Sequence, residues 1–293
     1  MTNPLDTHTI GFIGLGLMGK PMARNLREAG AKIVIHNRSQ AVVEELSADG
    51  MIPAASPADV VRQAKTVILM LPDTATVKAI LETIIPAIAP DSLIIDMGTT
   101  EATFTRTMAE RVEAAGGGYV DAPVSGGTIG AENATLSIMA GGTDSAVKRA
   151  RPILDILGDR VVHVGPVGAG QVAKAANQVI VGLTISAVGE ALKLAERAGA
   201  DPARVREALK GGFADSRILE VHGRRMIDDD FKPGGKCVTQ RKDLDQALKL
   251  GREYDLELPT TALVRNQYDD VIEAGFGDLD HAALIKVLEL DRT

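Results

Sequence analysis

Short apolar runs alternate with stretches of helical pattern through the first half of the chain, and this alternation restricts the possible folds more than any other feature. Several runs are hydrophobic throughout rather than at every second residue, as expected for strands that are buried on both faces. Strand and helix in alternation predict a parallel sheet covered by helices, although the later strands need not continue the parallel order. The predicted strands span residues 10–14, 32–36, 66–71, 93–97, 119–122, 135–140 and 161–164. The predicted helices between them span residues 21–29, 40–48, 57–63, 75–88, 103–115 and 145–157.

A glycine turn, GLGLMG at residues 14–19, connects the first predicted strand to the first helix. Gly14 allows a tight turn, Gly16 lets the backbone approach phosphates, and Gly19 allows the helix to pack closely on the strand. The start of the helix adds free N–H groups and the positive end of its dipole. This order of strand, G-x-G-x-x-G and helix predicts binding of a dinucleotide pyrophosphate. The predicted contacts are Gly14, Leu15, Gly16, Leu17 and Met18.

The pattern changes from Gly168 onward. Residues 171–198 contain no proline and are apolar on most sides, which is typical of a helix in a bundle centre or at an interface. Asp201 and Pro202 then supply the N-cap and first-turn proline of another helix, and further helices are predicted at 216–227, 238–254, 260–274 and 281–290. We therefore predict an α/β protein with a doubly wound, Rossmann-type sheet over residues 1–166. An all-helical domain over residues 167–293 would be built on the long interdomain helix.

Composition excludes several classes of protein. The chain of 293 residues is 45% hydrophobic and 24% charged, which indicates a globular protein. Its net charge of −7 argues against bulk nucleic-acid binding but allows anionic substrates held by local positive groups. Cys237 is the single cysteine, so no internal disulfide can form, and the five histidines show no metal-ligand spacing. With no signal-peptide pattern and no uncharged apolar run of membrane-spanning length, we expect a cytoplasmic protein without a membrane partner.

The end of the second predicted strand bears on the choice of nucleotide. NAD-specific sheets of this kind carry an Asp or Glu there, which binds the ribose hydroxyls, and this chain has none. Arg38 can pair with a 2′-phosphate and stack on adenine, while Asn37 and Ser39 can donate to phosphate oxygens. We predict a preference for NADPH, with NADH as the alternative cofactor. In the opposing interpretation Arg38 is solvated and Ser39 only caps the next helix.

Two further segments carry side chains suited to chemistry. Ser125, Gly126 and Gly127 follow a predicted strand and offer a hydroxyl and uncrowded N–H groups, which would suit a small carboxylate or form a plain turn. In the long apolar helix, Gln171, Lys174, Asn177 and Gln178 share one face. Burial of a lysine there is costly unless the side chain has a partner or a functional role. Desolvation also lowers the pKa of a lysine toward the range that is useful for proton transfer. Alternatively, this end of the helix is exposed and the lysine is solvated.

These segments resemble one family. Residues 12–26, FIGLGLMGKPMARNL, are similar to the N-terminal signature of the β-hydroxyacid dehydrogenases, the family of 3-hydroxyisobutyrate dehydrogenases and tartronate semialdehyde reductases. Residues 121–127, DAPVSGG, match its substrate-binding motif, and residues 168–178, GAGQVAKAANQ, match its catalytic motif. Residues 242–244, KDL, match its late cofactor-side motif. The four motifs occur in order, so the resemblance covers nearly the whole chain.

The resemblance implies a role for each matching residue. Lys174 would be the general acid that protonates the aldehyde oxygen, or the base in the reverse reaction, and Asn177 would hold the substrate and orient Lys174. The implied substrate contacts are Ser125, Gly126, Gly127, Asn177 and Gln178. The implied cofactor contacts beyond the glycine turn and Asn37–Ser39 are Leu71, Pro72, Thr99, Lys242 and Asp243. The chain departs from the family at Gly98, where the family usually has serine, and this departure bears on the role of Thr99.

Residues 211–223, GGFADSRILEVHG, are most similar to the tartronate semialdehyde reductases within the family. The resemblance therefore implies NADPH-dependent reduction of 2-hydroxy-3-oxopropanoate (tartronate semialdehyde) to glycerate. Another short substrate, such as succinic semialdehyde or 3-hydroxyisobutyrate, and a catalytically silent NADP-binding module are the alternatives. Arg217 and His222 would either contact a polar substrate or complete interdomain hydrogen bonds. The expected partners are a small anionic substrate and further copies of the chain, as a homodimer or homotetramer.

Overall fold

The computed structural model describes residues 4–290, so residues 1–3 and 291–293, the outer ends of the two predicted domains, lie outside the described residues. The chain divides into two compact units, Met1–Lys174 and Ala175–Thr293. The division falls inside a helix rather than between residues 166 and 167. Hydrogen bonds between the first turn of this helix and the sheet account for the difference, since they attach that turn to the first unit.

The first unit contains, within the described residues, a sheet of nine strands. The strands are β1 (Thr9–Ile13), β2 (Lys32–His36), β3 (Ile52–Pro53), β4 (Thr66–Leu69), β5 (Leu93–Asp96), β6 (Gly118–Asp121), β7 (Val124–Ser125), β8 (Ser137–Gly141) and β9 (Arg160–Gly165). The helices of this unit are α1 (Gly19–Glu28), α2 (Gln40–Ala48), α3 (Pro57–Gln63), α4 (Thr74–Ile84), α5 (Ala102–Ala114), α6 (Gly127–Glu132) and α7 (Asp144–Leu157). A 3₁₀ turn, Ile85–Ala87, follows α4.

The strand order is β3-β2-β1-β4-β5-β6-β8-β7, and β9 pairs with β8. All pairs from β3 to β6 are parallel, whereas β8 is antiparallel to β6 and β7. From β1 the strands are added on one side, as β2 and β3, and the chain then crosses to the other side of β1, where it forms β4. The ends of β1 and β4 therefore form the switch point at which sheets of this kind bind ligands.

Both faces of the sheet are covered, as the continuous apolar runs predict. In β2, Ile33 and Ile35 belong to one buried apolar cluster and Val34 to the other, and β5 repeats this alternation. The first cluster includes residues of α1 and α7, and the second includes residues of α3, α4 and α5. Burial on both faces fixes the sheet firmly, so that the loops at its carboxyl edge are held in place.

Helix α8 (Ala169–Arg197) begins in the first unit and continues into the second. By its length and composition alone, this helix could cross a membrane, and the same is true of the core helices of many water-soluble proteins. Within an apolar stretch of 18 residues of this helix, 33% of the residues are buried by the rest of the chain.

The second unit has helices as its regular elements within the described residues, and an isolated β-bridge joins Lys236 and Asp280. Its helices are the later part of α8, α9 (Pro202–Leu209), α10 (Arg217–Ile227), α11 (Cys237–Glu253) and α12 (Pro259–Val271), followed by a π-helical turn, Ile272–Phe276, and a 3₁₀ segment, His281–Glu289. Ile185 of α8 packs in a common core with Leu219, Leu244 and Val264. The carboxylate of Asp201 accepts a hydrogen bond from the Ala203 N–H at 2.9 Å, which confirms the predicted N-cap of α9. The predicted fold class is thus confirmed.

Candidate active site

The glycine turn lies at the switch point of the sheet. Gly14 has a φ of 101°, and a Cβ on it would lie 2.2 Å from the carbonyl oxygen of Met70. A Cβ on Gly19 would lie 1.9 Å from the carbonyl oxygen of Gly14, so the packing of the protein itself excludes side chains at both positions. Gly16 differs, because a Cβ there would meet nothing within 4 Å. The exposed backbone at Gly16 therefore leaves open space of the kind that a pyrophosphate needs.

Helix α1 begins at the end of this turn and suits an anion. Its first turn contains no acidic residue, and Met18 at its N-cap position makes no side-chain capping bond. The N–H groups and the positive end of the dipole are thus not neutralised by the helix's own side chains. Leu15 is buried, whereas Leu17 is 62% exposed. The residues at the turn therefore fit a dinucleotide phosphate.

The end of β2 lies beside the turn. The Asn37 Oδ1 atom accepts a hydrogen bond from the Leu15 N–H at 3.0 Å, which ties the turn to this strand end. Arg38 is exposed, and within residues 4–290 no ion pair engages its guanidinium. Ser39 occupies the N-cap position of α2 without a side-chain capping bond. Capping of α2 thus does not account for the Ser39 hydroxyl, and both Arg38 and Ser39 remain accessible to a ligand.

The next two strand ends continue the same edge of the sheet. Leu71 and Thr99 are half-buried and Pro72 is exposed. A Cβ on Gly98 would lie 2.8 Å from the Leu71 carbonyl oxygen and 3.2 Å from the Asp96 Oδ1 atom. A serine at position 98 would require the backbone around Leu71 to shift, which gives a physical reason for the departure from the family pattern. The structure thus brings Leu71 and the Gly98–Thr99 loop together beside the glycine turn.

Two buried carboxylates end β5 and β6. Asp96 and Asp121 are register partners on these adjacent strands, and both side chains are fully buried. Asp96 accepts hydrogen bonds from the Gly98 N–H at 3.0 Å and the Tyr119 hydroxyl at 3.2 Å. Burial raises the pKa of Asp96 to about 7, and the charge of Asp121 contributes to the rise, although the hydrogen bonds oppose it. Burial likewise raises the pKa of Asp121, against the backbone N–H groups that bind it.

Replacing Asp96 by asparagine tests this burial. The folded protein binds a proton at Asp96 more tightly than the unfolded chain does. The contribution of Asp96 to the free energy of unfolding therefore rises as pH falls from about 8 toward 5. Asparagine does not titrate, so the stability of Asp96→Asn relative to wild type should decline over that range, by at most about 1.4 kcal/mol per pH unit. Urea denaturation from pH 5 to 8 measures this difference, and parallel curves for the two proteins would contradict it.

Asp121 also fixes the start of α8. Its Oδ1 atom accepts a hydrogen bond from the Gly168 N–H at 2.8 Å, and its Oδ2 atom accepts one from the Gln171 N–H at 2.9 Å. A carboxylate at this position satisfies N–H groups that the helix leaves unpaired and complements the helix dipole. Lys174 follows one turn later and is 7% exposed. The interpretation of Lys174 as a solvated lysine is therefore wrong.

The predicted carboxylate cradle lies after β6. Ser125 ends β7 and is half-buried, and the exposed Gly126 and Gly127 follow with φ of 137° and 61°. Two successive residues with positive φ give a turn that only glycine adopts readily. A short helix, α6, begins at Gly127, where the sequence predicted either a carboxylate-binding segment or a plain turn and no helix. The backbone of the two glycines is thus exposed next to the half-buried Ser125, which is compatible with anion binding by this segment.

The remaining predicted residues lie in the second unit. The Asn177 Nδ2 atom donates to Gln178 Oε1 at 2.8 Å, and Gln178 Nε2 donates to Asp243 Oδ2 at 2.6 Å and Gln240 Oε1 at 3.0 Å. Lys242 Nζ lies 3.1 Å from Asp243 Oδ1. The structure therefore brings Asn177, Gln178, Lys242 and Asp243 together. The amide nitrogen of Gln178 thus donates within the second unit, and its predicted contact with the substrate stays a prediction.

A histidine cluster in the same unit escaped the sequence analysis. His222 and His281 meet edge to face with ring centroids 4.6 Å apart, and His222 Nδ1 lies 3.4 Å from Asp280 Oδ1. Asp280 also accepts hydrogen bonds from the backbone N–H groups of residues 234, 235 and 282, and its Oδ2 atom lies 2.9 Å from Arg225. With donors and a guanidinium already on the carboxylate, the cluster is a poor site for a cation. Arg217, in contrast, is exposed and pairs with Glu220 of its own helix.

Comparison with known proteins identifies the family. Residues 9–165 match the family model described as the NAD binding domain of 6-phosphogluconate dehydrogenase. Residues 168–288 match the model described as the NAD-binding region of NADP-dependent 3-hydroxyisobutyrate dehydrogenase. The chain is 44% identical to 2-hydroxy-3-oxopropionate reductase of Escherichia coli K12, over 96% of this chain and 97% of that one. It is 31% identical to glyoxylate/succinic semialdehyde reductase 1 of Arabidopsis thaliana, over 97% and 99% of the two chains.

A solved structure agrees over the same length. Mycobacterium tuberculosis 3-hydroxyisobutyrate dehydrogenase, determined with L-serine, superposes with a TM-score of 0.90 at 31% identity, over 97% of this chain and 99% of that one. The two family models together span almost the whole chain and describe nicotinamide-dinucleotide binding. The chain therefore belongs to the 3-hydroxyisobutyrate dehydrogenase-like family of NAD(P)-dependent β-hydroxyacid dehydrogenases and is an oxidoreductase.

Proposed function

We propose that this protein reduces tartronate semialdehyde (2-hydroxy-3-oxopropanoate) to glycerate with NADPH. The observation that carries the proposal is the 44% identity, over 96% of the chain, to a reductase named for that substrate. The other relative described above acts, by its name, on glyoxylate and succinic semialdehyde and is 31% identical. The higher identity favours the three-carbon semialdehyde within a family whose members differ in substrate.

The residues of the first unit fit a phosphorylated dinucleotide. The open space at Gly16 and the free N-terminus of α1 suit the pyrophosphate. The accessible guanidinium of Arg38 and the absence of an acid at residues 36–39 favour a 2′-phosphate over a free hydroxyl. When bound, the cofactor supplies the hydride that reduces the carbonyl carbon. The protein's part is to bind, orient and protonate the substrate.

We assign proton transfer to Lys174. Reduction of an aldehyde leaves a negative charge on its oxygen, and a placed ammonium group can supply the proton that neutralises it. Lys174 is a buried lysine on a helix whose first turn is bound to the carboxyl edge of the sheet. Asn177, three residues further along α8, is proposed to bind the substrate and to help orient Lys174. Ser125, Gly126 and Gly127 are proposed to bind the substrate carboxylate.

A panel of substrates tests this function. Purified protein is given NADPH or NADH with tartronate, succinic, methylmalonate and other three- and four-carbon semialdehydes, and reduced-nicotinamide absorbance is followed. We expect the highest kcat/KM for tartronate semialdehyde with NADPH. A higher value for another semialdehyde would replace the substrate and leave the assignment of Lys174 intact. No oxidation of either cofactor by any aldehyde would overturn the proposal in favour of a silent binding module.

We also propose that the protein works as a homodimer or homotetramer. Ile180 and Leu194 of α8 are 65% and 72% exposed within the chain, although α8 is apolar over most of its length. A second copy of the chain that covers this face would remove both side chains from water. Sedimentation of a monomer at micromolar concentration would overturn this proposal.

A further inference from the structure

The side chain of Gln171 makes two hydrogen bonds to one loop of the sheet. Its Nε2 atom donates to the Gly98 carbonyl oxygen at 2.9 Å, and its Oε1 atom accepts from the Thr100 N–H at 3.0 Å. The side chain is 2% exposed. A buried amide that both donates and accepts in this way holds two backbone groups at a fixed separation, and neither group can be satisfied by water instead.

The loop held by Gln171 lies at the predicted cofactor side of the site. Gly98 packs against the backbone of Leu71, and Thr99, between the two bonded backbone groups, is predicted to line the nicotinamide ribose. Lys174 lies three residues after Gln171 on α8, about 4.5 Å along the helix axis. A single side chain therefore connects the loop on the cofactor side with the helical turn that carries the lysine.

The start of α8 packs closely on the sheet. A Cβ on Gly170 would lie 2.3 Å from the Met139 carbonyl oxygen, and a Cβ on Gly141 would lie 2.7 Å from the Gly170 backbone nitrogen. The start of α8 thus contacts the sheet backbone directly at a point that excludes any side chain. Asp121 caps the same turn. With the helix start anchored on β6 and β8, Gln171 adds the contact to the loop after β5.

We propose that Gln171 is a positioning residue, which sets Lys174 relative to the Gly98–Thr100 loop and hence to the reacting carbon. The inference rests on the proposed role of Lys174 as the general acid. Displacement of a reacting group by about 1 Å can cost 10²-fold in rate. Loss of the Gln171 side-chain bonds should therefore appear in the chemical step, while the glycine turn and Arg38 continue to bind the cofactor.

Gln171→Met keeps the length and volume of the side chain and removes both hydrogen bonds. We expect kcat to fall about 10²-fold, with the Kd for NADPH in the binary complex within about threefold of wild type. The substrate is whichever semialdehyde the wild type reduces fastest, so the outcome does not depend on tartronate semialdehyde. Gln63→Met, which replaces an exposed glutamine of α3, is the control and should retain wild-type kcat. Wild-type kcat in Gln171→Met would overturn the proposal, as would a loss confined to cofactor affinity.

Gln171→Glu gives a signature that a general loss of stability would not. A protonated carboxyl group can donate to the Gly98 carbonyl and accept from the Thr100 N–H as the amide does, whereas an ionised one loses the donor. Burial beside Asp96 and Asp121 favours the protonated form of a glutamate here. The ratio of variant to wild-type kcat should therefore rise as pH falls from 8 to 5. The neighbouring titratable groups, namely Asp96, Asp121, Tyr119, Arg106 and Lys174, are common to both proteins and largely cancel in the ratio.

A ratio that stays low at every pH would overturn the proposal, and so would a ratio that falls as pH falls. A ratio near one up to pH 8 is the result expected of a buried glutamic acid that stays protonated over the whole range. The same assays on Lys174→Met separate this inference from the proposed function. Wild-type turnover in Lys174→Met would exclude Lys174 as the general acid, whatever the result for Gln171→Met. A severe loss of kcat in Lys174→Met together with wild-type kcat in Gln171→Met would exclude only the positioning role of Gln171.

Discussion

Replacing Lys174 by methionine is expected to lower kcat for semialdehyde reduction by about 10²–10⁴-fold, the range that a placed general acid typically contributes. Methionine fills a similar volume, so the buried environment of the side chain is kept while the ammonium group is lost. The contacts proposed for the cofactor lie at the glycine turn and at Arg38. The Kd for NADPH should therefore remain within a few-fold of wild type. Stopped-flow or steady-state absorbance gives kcat, and fluorescence titration of NADPH gives the Kd.

Lys148→Met is the matched control for this prediction. Lys148 is an exposed lysine of α7, and its loss removes the same charge from the first unit without touching α8. We expect wild-type kcat in this variant. Retention of turnover in Lys174→Met would exclude the lysine from the mechanism. A loss of NADPH affinity as large as the loss of kcat would instead assign Lys174 to cofactor binding.

Periodicity predicted most elements of this fold to within a few residues. Strand β2 and helices α2 and α3 occupy the predicted ranges without change. The elements that were missed are short: the two-residue strands Ile52–Pro53 and Val124–Ser125 and the six-residue helix Gly127–Glu132. Segments of this length carry no detectable period, and they form because the neighbouring strand or turn already positions them.

The site could be predicted only where local sequence carries the chemistry. The glycine turn is local, since the positive φ of Gly14 and the lack of space at Gly19 follow from one strand-to-helix connection. The bonds of Gln171 to Gly98 and Thr100 join residues far apart in sequence, and no spacing rule reveals them. A weaker signal existed in Asp121, because an acid at the end of a buried apolar strand needs donors nearby.

The histidine cluster shows the same limit. Nothing in the spacing of His222 and His281 indicates a contact, yet the packing of α10 against the 3₁₀ segment His281–Glu289 brings the two rings together. Burial raises the pKa of the Asp280 carboxyl, but the neighbouring His222 and His281 rings and the N–H groups of residues 234 and 282 outweigh burial and hold that pKa below its usual range. The contacts of this cluster are thus explained by packing within the second unit. A count of potential metal ligands would not have shown this.

Replacing Arg38 by alanine is expected to weaken NADPH binding by roughly tenfold to a hundredfold and to leave NADH binding within about twofold of wild type. A hydrogen bond to a charged group contributes about 1.5–3 kcal/mol, and only NADPH carries the 2′-phosphate that would receive it. Arg38 follows the end of β2, is exposed and, within residues 4–290, has no ion-pair partner, so its removal should not disturb the sheet. Fluorescence titration of both reduced cofactors measures the two affinities.

The control for Arg38 lies on the same strand. Lys32→Ala removes a positive charge from the exposed first residue of β2, at the opposite end of the strand from Arg38. A long-range effect of net charge would weaken NADPH binding similarly in both variants, whereas a direct bond to the 2′-phosphate affects Arg38→Ala alone. Equal losses for NADPH and NADH in Arg38→Ala would indicate contact with adenine or the pyrophosphate instead. In that case the absence of an acid at residues 36–39 would have to account for any preference for NADPH, because it leaves room for the 2′-phosphate even though no charged side chain binds it.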